Sequence, residues 1–106
     1  MKPSIVFALI LIVGFIGLGI YHEQTHVEIF RSYGIESHVD YISYFPSIAT
    51  VPESPCPSDM CVLAHNNADS IMYPLGIFYI VFGILLFQMF SSLETLIKIH
   101  LHNLRR

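Results

Sequence analysis

The 106-residue chain is 54% hydrophobic and only 12% charged, with a formal net charge of −3. That length allows one domain at most, and the composition is too apolar for an ordinary soluble one. No basic patch of the kind that binds nucleic acid is present, so the predicted partner is a lipid bilayer.

The first element is an apolar helix. Residues 5–20 contain no charged side chain. Pro3 suits a first helical turn, and Lys2 supplies a minimal positive start. No small-x-small cleavage site lies between Gly14, Gly17, Gly19 and the following Ile20-Tyr21-His22. The stretch therefore reads as an uncleaved anchor over about residues 4–21 rather than a signal peptide. Nothing breaks the helix at Tyr21, and Gly34 is a natural stop. A helix over residues 3–33 would be ~46 Å long, so it overshoots the roughly 30 Å hydrocarbon layer by about three turns.

That overshoot, residues 22–33, carries His22-Glu23-Gln24-Thr25-His26, an H-E-x-x-H sequence. Two histidines four apart project from one helix face and can grip one zinc ion at roughly 2.0–2.1 Å. Glu23 lies about 100° round the helix, placed to take a proton from water at the metal without being a ligand. Ile29 and Tyr33 continue the histidine face, which predicts that it looks toward protein.

Residues 34–57 form a loop. Val39, Tyr41, Ile42, Tyr44 and Phe45 are rich in β-formers, Pro46-Ser47 can turn the chain, and residues 48–51 can make a second short strand. This predicts a short β-hairpin or an irregular aromatic cap over the site. His38 is a further candidate metal ligand. Cys56 and Cys61 are the chain's two cysteines, flanked by Pro55 and Pro57, and predict a disulfide-closed turn.

Ser58 is a candidate N-cap for a second helix over about residues 58–73, with Asp59 in its first turn. His65, Asp69 and Tyr73 recur at intervals of four and share one face. Pro74 kinks this helix or restarts it as a second span over about residues 74–90; residues 71–90 carry no charge. Gly76 and Gly83, like Gly14 and Gly17, allow close helix approach. Ser91 and Glu94 form a capping box, and Leu93, Leu96, Ile97, Leu101 and Leu104 an apolar stripe. Residues 91–106 thus predict a separate amphipathic helix on the inner leaflet.

Charge orients the pair. Lys2, Lys98, Arg105 and Arg106 lie outside the two runs, whereas residues 22–70 hold one basic residue, Arg31, against seven acidic ones. The positive-inside bias predicts both termini in the cytoplasm and the loop outside. The predicted fold is mostly α: two transmembrane helices extending into a small extracytoplasmic zinc-binding cap.

With H-E-x-x-H on one helix and a carboxylate on a later one, the chain resembles the zincin metalloproteases, specifically the gluzincin branch. The resemblance implies His22 and His26 as zinc ligands and Glu23 as general base. Asp69 stands where gluzincins place a glutamate ligand. The metzincin extension is absent, since Ile29 and Ser32 occupy its glycine and histidine positions. Intramembrane zinc proteases are a second comparison; they bury the motif within a span and take an Asp ligand from a later one.

The function expected on this basis is a membrane-anchored zinc metallopeptidase acting on peptides or membrane-protein segments near the outer surface. Asp69 or His65 supplies the third ligand, and Tyr73 or His65 stabilises the oxyanion. A homo-oligomer could supply the walls that so short a loop lacks. The competing expectations are a structural zinc closed by His22, His26, His65 and Asp69, and a metal-free helix-pair subunit of a larger complex.

Overall fold

A computed structural model describes residues 2–45 and 47–106. Its elements are α1 (Pro3–Ser32), β1 (Ser37–Asp40), β2 (Ala49–Pro52) and α2 (Asp59–Leu104). The helices pack antiparallel into a body 73 Å long, and the two strands sit against one end of it.

α1 starts at Pro3, whose missing N–H costs nothing in a first turn. It stops where Gly34 takes φ +77, a left-handed conformation that glycine adopts without strain. Tyr33, Gly34 and Ile35 N–H groups then bond back to Phe30 and Arg31 carbonyls at 3.0 Å, closing the helix end. The motif and the apolar run thus belong to one continuous helix, as predicted.

α2 is also continuous, from Asp59 to Leu104. Ser58 caps it, accepting from the Cys61 N–H at 3.3 Å. The sequence predicted a kink or a restart at Pro74 and a new helix at Ser91; the helix is neither restarted at Pro74 nor begun anew at Ser91. Pro74 sits inside the helix. Beyond Gly83 the helix meets no further Gly or Pro, so no residue stops it before Leu104. The expected separate amphipathic helix is therefore the last turns of α2. Glu94 caps a helix, but not its own: its carboxylate accepts the backbone N–H and, at 2.9 Å, the hydroxyl of Ser4 in the first turn of α1.

Closer to the middle, Tyr79 donates its hydroxyl to the Leu11 carbonyl at 2.8 Å. It can do so because residue 14 is glycine; a Cβ there would lie 2.2 Å from the Tyr79 oxygen. Phe7 stacks on Phe90 with ring centroids 4.6 Å apart. Most other apolar side chains of the pair face outward. Both helices are long and apolar enough to cross a membrane.

The strands pair antiparallel, with Val39 opposite Thr50 and Asp40 opposite Ala49. Of the two expected alternatives, hairpin or irregular cap, the hairpin forms, but its strands lie earlier than the aromatic cluster suggested. Asp40 Oδ1 accepts the N–H groups of Ile42 and Ser43, each at 2.9 Å, and turns the chain before the aromatic residues are reached. Tyr41, Tyr44 and Phe45 therefore lie in the connecting loop. Of the turn expected at Pro46-Ser47, Pro46 lies outside the described residues, and the Ser47 N–H bonds the Tyr44 carbonyl at 2.8 Å. Among the described residues the buried apolar side chains are Val27, Ile35 and Cys61, all at the hairpin end. The core is small and sits beside the motif.

Candidate metal centre

His22 and His26 lie one turn apart on α1, and the antiparallel crossing of α2 sets Asp69 opposite both. Asp69 Oδ1 lies 2.7 Å from His22 Nε2 and 2.8 Å from His26 Nε2. The two Nε2 atoms are 3.1 Å apart. Both histidine side chains are 13% exposed and Asp69 34%. Three donor atoms thus converge on one point, in a group that could hold a metal ion. Burial disfavours the charge on Asp69, but the hydrogen bonds from His22 and His26, and the attraction of both rings, outweigh it. The carboxyl is held below the usual carboxylate range.

His65, predicted as an alternative ligand, lines the cavity beside these residues but stands outside the three-donor group. It lies on the far side of His26, with the two Nδ1 atoms 2.5 Å apart and the rings nearly parallel. Phe30 covers its other surroundings at a centroid distance of 4.2 Å. His65 is one turn beyond Cys61, which is joined to Cys56 as a disulfide. That disulfide and His65 lie within ligand distance of one another, but both sulfurs are committed to their own bond. His65 Nε2 is buried without a protein partner. Burial, followed by the neighbouring His26, lowers its pKa below the ordinary histidine value, so the ring is held neutral. His65 braces His26 from behind rather than joining the three donors. His38 also stays apart: it is exposed on β1 and outside the donor group.

Glu23 is tied to β2. Its Oε2 accepts the Thr50 N–H at 2.8 Å, and the Thr50 hydroxyl lies 2.6 Å from the same oxygen. That hydroxyl is also 2.9 Å from the Glu23 carbonyl and can give its one proton to either. Both carboxylate contacts fall on Oε2, which leaves Oε1 unengaged by Thr50. Thr50 was not singled out in the sequence, where only its place in a short strand was visible.

A cavity of about 380 Å³ opens between these groups, lined among others by Glu23, His26, Thr50, Asp69 and Tyr73. Tyr73 stands at its rim, 62% exposed, with its ring edge-on to His22 at 5.2 Å. The cavity is within the range of small ligand sites.

No protein-family model, curated protein or solved structure matches this chain.

Proposed function

We propose that the chain is a membrane-integral zinc metallopeptidase. The observation that carries this reading is the convergence of His22 Nε2, His26 Nε2 and Asp69 Oδ1 beside a cavity that Glu23 also lines. Tetrahedral zinc with donors at roughly 2.0–2.1 Å sets neighbouring donor atoms about 3.3 Å apart. The observed separations of 2.7, 2.8 and 3.1 Å require only a small outward movement of side chains now drawn together by hydrogen bonds. Two imidazoles and one carboxylate make a typical catalytic donor set, with a fourth position for water or substrate.

A zinc ion there supplies Lewis acidity, acidifying water and polarising a carbonyl. Glu23 takes the water's proton on Oε1 and hands it to the leaving amine, while Thr50 holds Oε2. Tyr73, at the rim, would hydrogen-bond the developing oxyanion through its hydroxyl and keep its proton. The apolar helices cross the bilayer, the termini lie in the cytoplasm, and the cavity opens on the other side. Support for that topology is the acidic stretch between the helices and the basic residues outside them. Substrates are peptides or membrane-protein segments near the outer surface.

One observation favours a second reading. The hydrogen bonds from the Thr50 N–H and hydroxyl to Oε2 make Glu23 an anchor for the hairpin, in which case the metal is structural. Glu23→Gln separates the two. Zinc content stays at one per chain in either case. Peptide cleavage falls by 100-fold or more if Glu23 is the general base, in keeping with the 10²–10⁴-fold usual for such groups. Retained cleavage removes Glu23 from the chemistry, and the absence of bound zinc in the unaltered protein removes the metallopeptidase reading altogether.

A further inference from the structure

The loop between the strands exposes its apolar side chains to an unusual degree. Ile42 is 84% exposed and Phe45 82%, with Tyr41 and Tyr44 about half exposed beside them. No charged residue occurs from Tyr41 to Pro52. Among the described residues the buried apolar core is Val27, Ile35 and Cys61, and it does not take in this patch.

Its level along α1 identifies what it faces. The hairpin runs antiparallel to α1 as it leaves Gly34. Thr50 is bonded to Glu23, and Ile48 reaches within 3.8 Å of where a Gly19 side chain would begin. From Thr50 to Ile48, then, the strand descends α1 by one turn, from the motif into the apolar run. The loop that joins β1 to β2 continues from that point. The loop therefore leaves and rejoins the strands beside the end of the uncharged segment of α1, whose own side chains face largely outward.

We infer that the hairpin tip inserts into the same bilayer leaflet as the adjoining end of α1, as a monotopic wedge. Ile42 and Phe45 enter the acyl region, and Tyr41 and Tyr44 stay at the headgroup level, where aromatic rings with a polar tip are favoured. The inference rests on the two-span reading, because the loop adjoins a helix taken to be in lipid. It does not depend on the metal. The consequence for the site is direct: Ile48, Ala49 and Thr50 line the cavity as well as leading out of the tip. A tip seated in the leaflet holds that wall at the membrane surface and presents the cavity to segments emerging from lipid.

The chain contains no tryptophan, so one introduced tryptophan is its only indole reporter. Three full-length variants are reconstituted into phosphatidylcholine vesicles with brominated acyl chains: Phe45→Trp at the tip, Phe15→Trp in the apolar run, and Tyr33→Trp at the far end of α1. Phe45→Trp should lose emission nearly as strongly as Phe15→Trp, while Tyr33→Trp keeps it. If Phe45→Trp keeps its emission while Phe15→Trp loses it, the tip lies in water or under another protein surface, and the inference is overturned with the spans intact. If Phe15→Trp also keeps its emission, the two-span reading itself fails. Ile42→Trp repeats the measurement from a second tip position should Phe45→Trp not reconstitute, and the same outcomes apply to it.

Discussion

His26 and His65 meet through their Nδ1 atoms, 2.5 Å apart, while the other nitrogen of His26 faces Asp69. One ring thus links the donor group to the second helix. In the hydrogen-bonded arrangement His26 Nε2–H donates to Asp69, and Nδ1 accepts from His65. Metal on Nε2 requires the proton on His26 Nδ1, so His65 must then accept; its second nitrogen, free of protein partners, allows that change of tautomer. His65→Ala is therefore expected to weaken zinc binding by about 10–100-fold, the usual effect of losing an outer partner of a metal-bound histidine, without lowering the stoichiometry. His65→Asn, which retains an acceptor, should recover part of the loss. Zinc titration against a competing chelator measures both. Loss of stoichiometry in His65→Ala would make it a ligand instead.

Acid should loosen the metal-free site in two stages. His65 has its pKa lowered from 6.5 in the folded chain, so the unfolded chain takes up its proton first. The stability it confers is complete above that value and is lost as pH falls from it toward the depressed folded value. Asp69, also lowered, from 3.8, loses its contribution only as pH falls below that figure. Thermal unfolding of chelator-treated protein in detergent should thus fall first below about pH 6.5. His65→Phe should abolish that first decline and leave the second.

Thr50 is expected to matter for the hairpin more than for the metal. Thr50→Val deletes the hydroxyl and keeps the N–H bond to Glu23. A lost hydrogen bond to a charged group costs about 1.5–3 kcal/mol when its partner is buried, and less here because the site is partly open. Zinc content should be unchanged while the unfolding midpoint drops. A variant that folds as stably as the parent would show that the Thr50 hydroxyl does not fasten the strand.

Gly14 and Tyr79 offer a test of the helix pair. Gly14→Ala places a methyl group 2.2 Å from the Tyr79 oxygen and should cost about 1–3 kcal/mol, as overpacking does. Tyr79→Phe removes the clashing atom along with its bond to Leu11, so the double variant should lose less than the sum of the single ones. Gly17→Ala, with nothing within 4 Å, is the control and should be neutral. Additive losses at residues 14 and 79 would mean that the helices pack through another face.

Much of this architecture follows from local chemistry and was legible in the residues themselves. Pro3 and Gly34 bound α1 because one tolerates a missing N–H and the other a positive φ. His22 and His26 share a face because a helix repeats every 3.6 residues, and His65 and Asp69 share another for the same reason. What that periodicity cannot say is which of two residues one turn apart lies opposite a given partner. Only the crossing of α2 over α1 put Asp69 against both Nε2 atoms and His65 behind His26. The same holds for Glu94, which local pattern assigned to a helix start at Ser91 and which instead caps α1, 90 residues away in sequence. Glu23 found Thr50 in the same manner, across a loop whose register an aspartate side chain had already shifted. Short-range hydrogen bonding and helical repeat belong to the sequence; the choice among equivalent neighbours belongs to packing between distant segments, which no local pattern encodes.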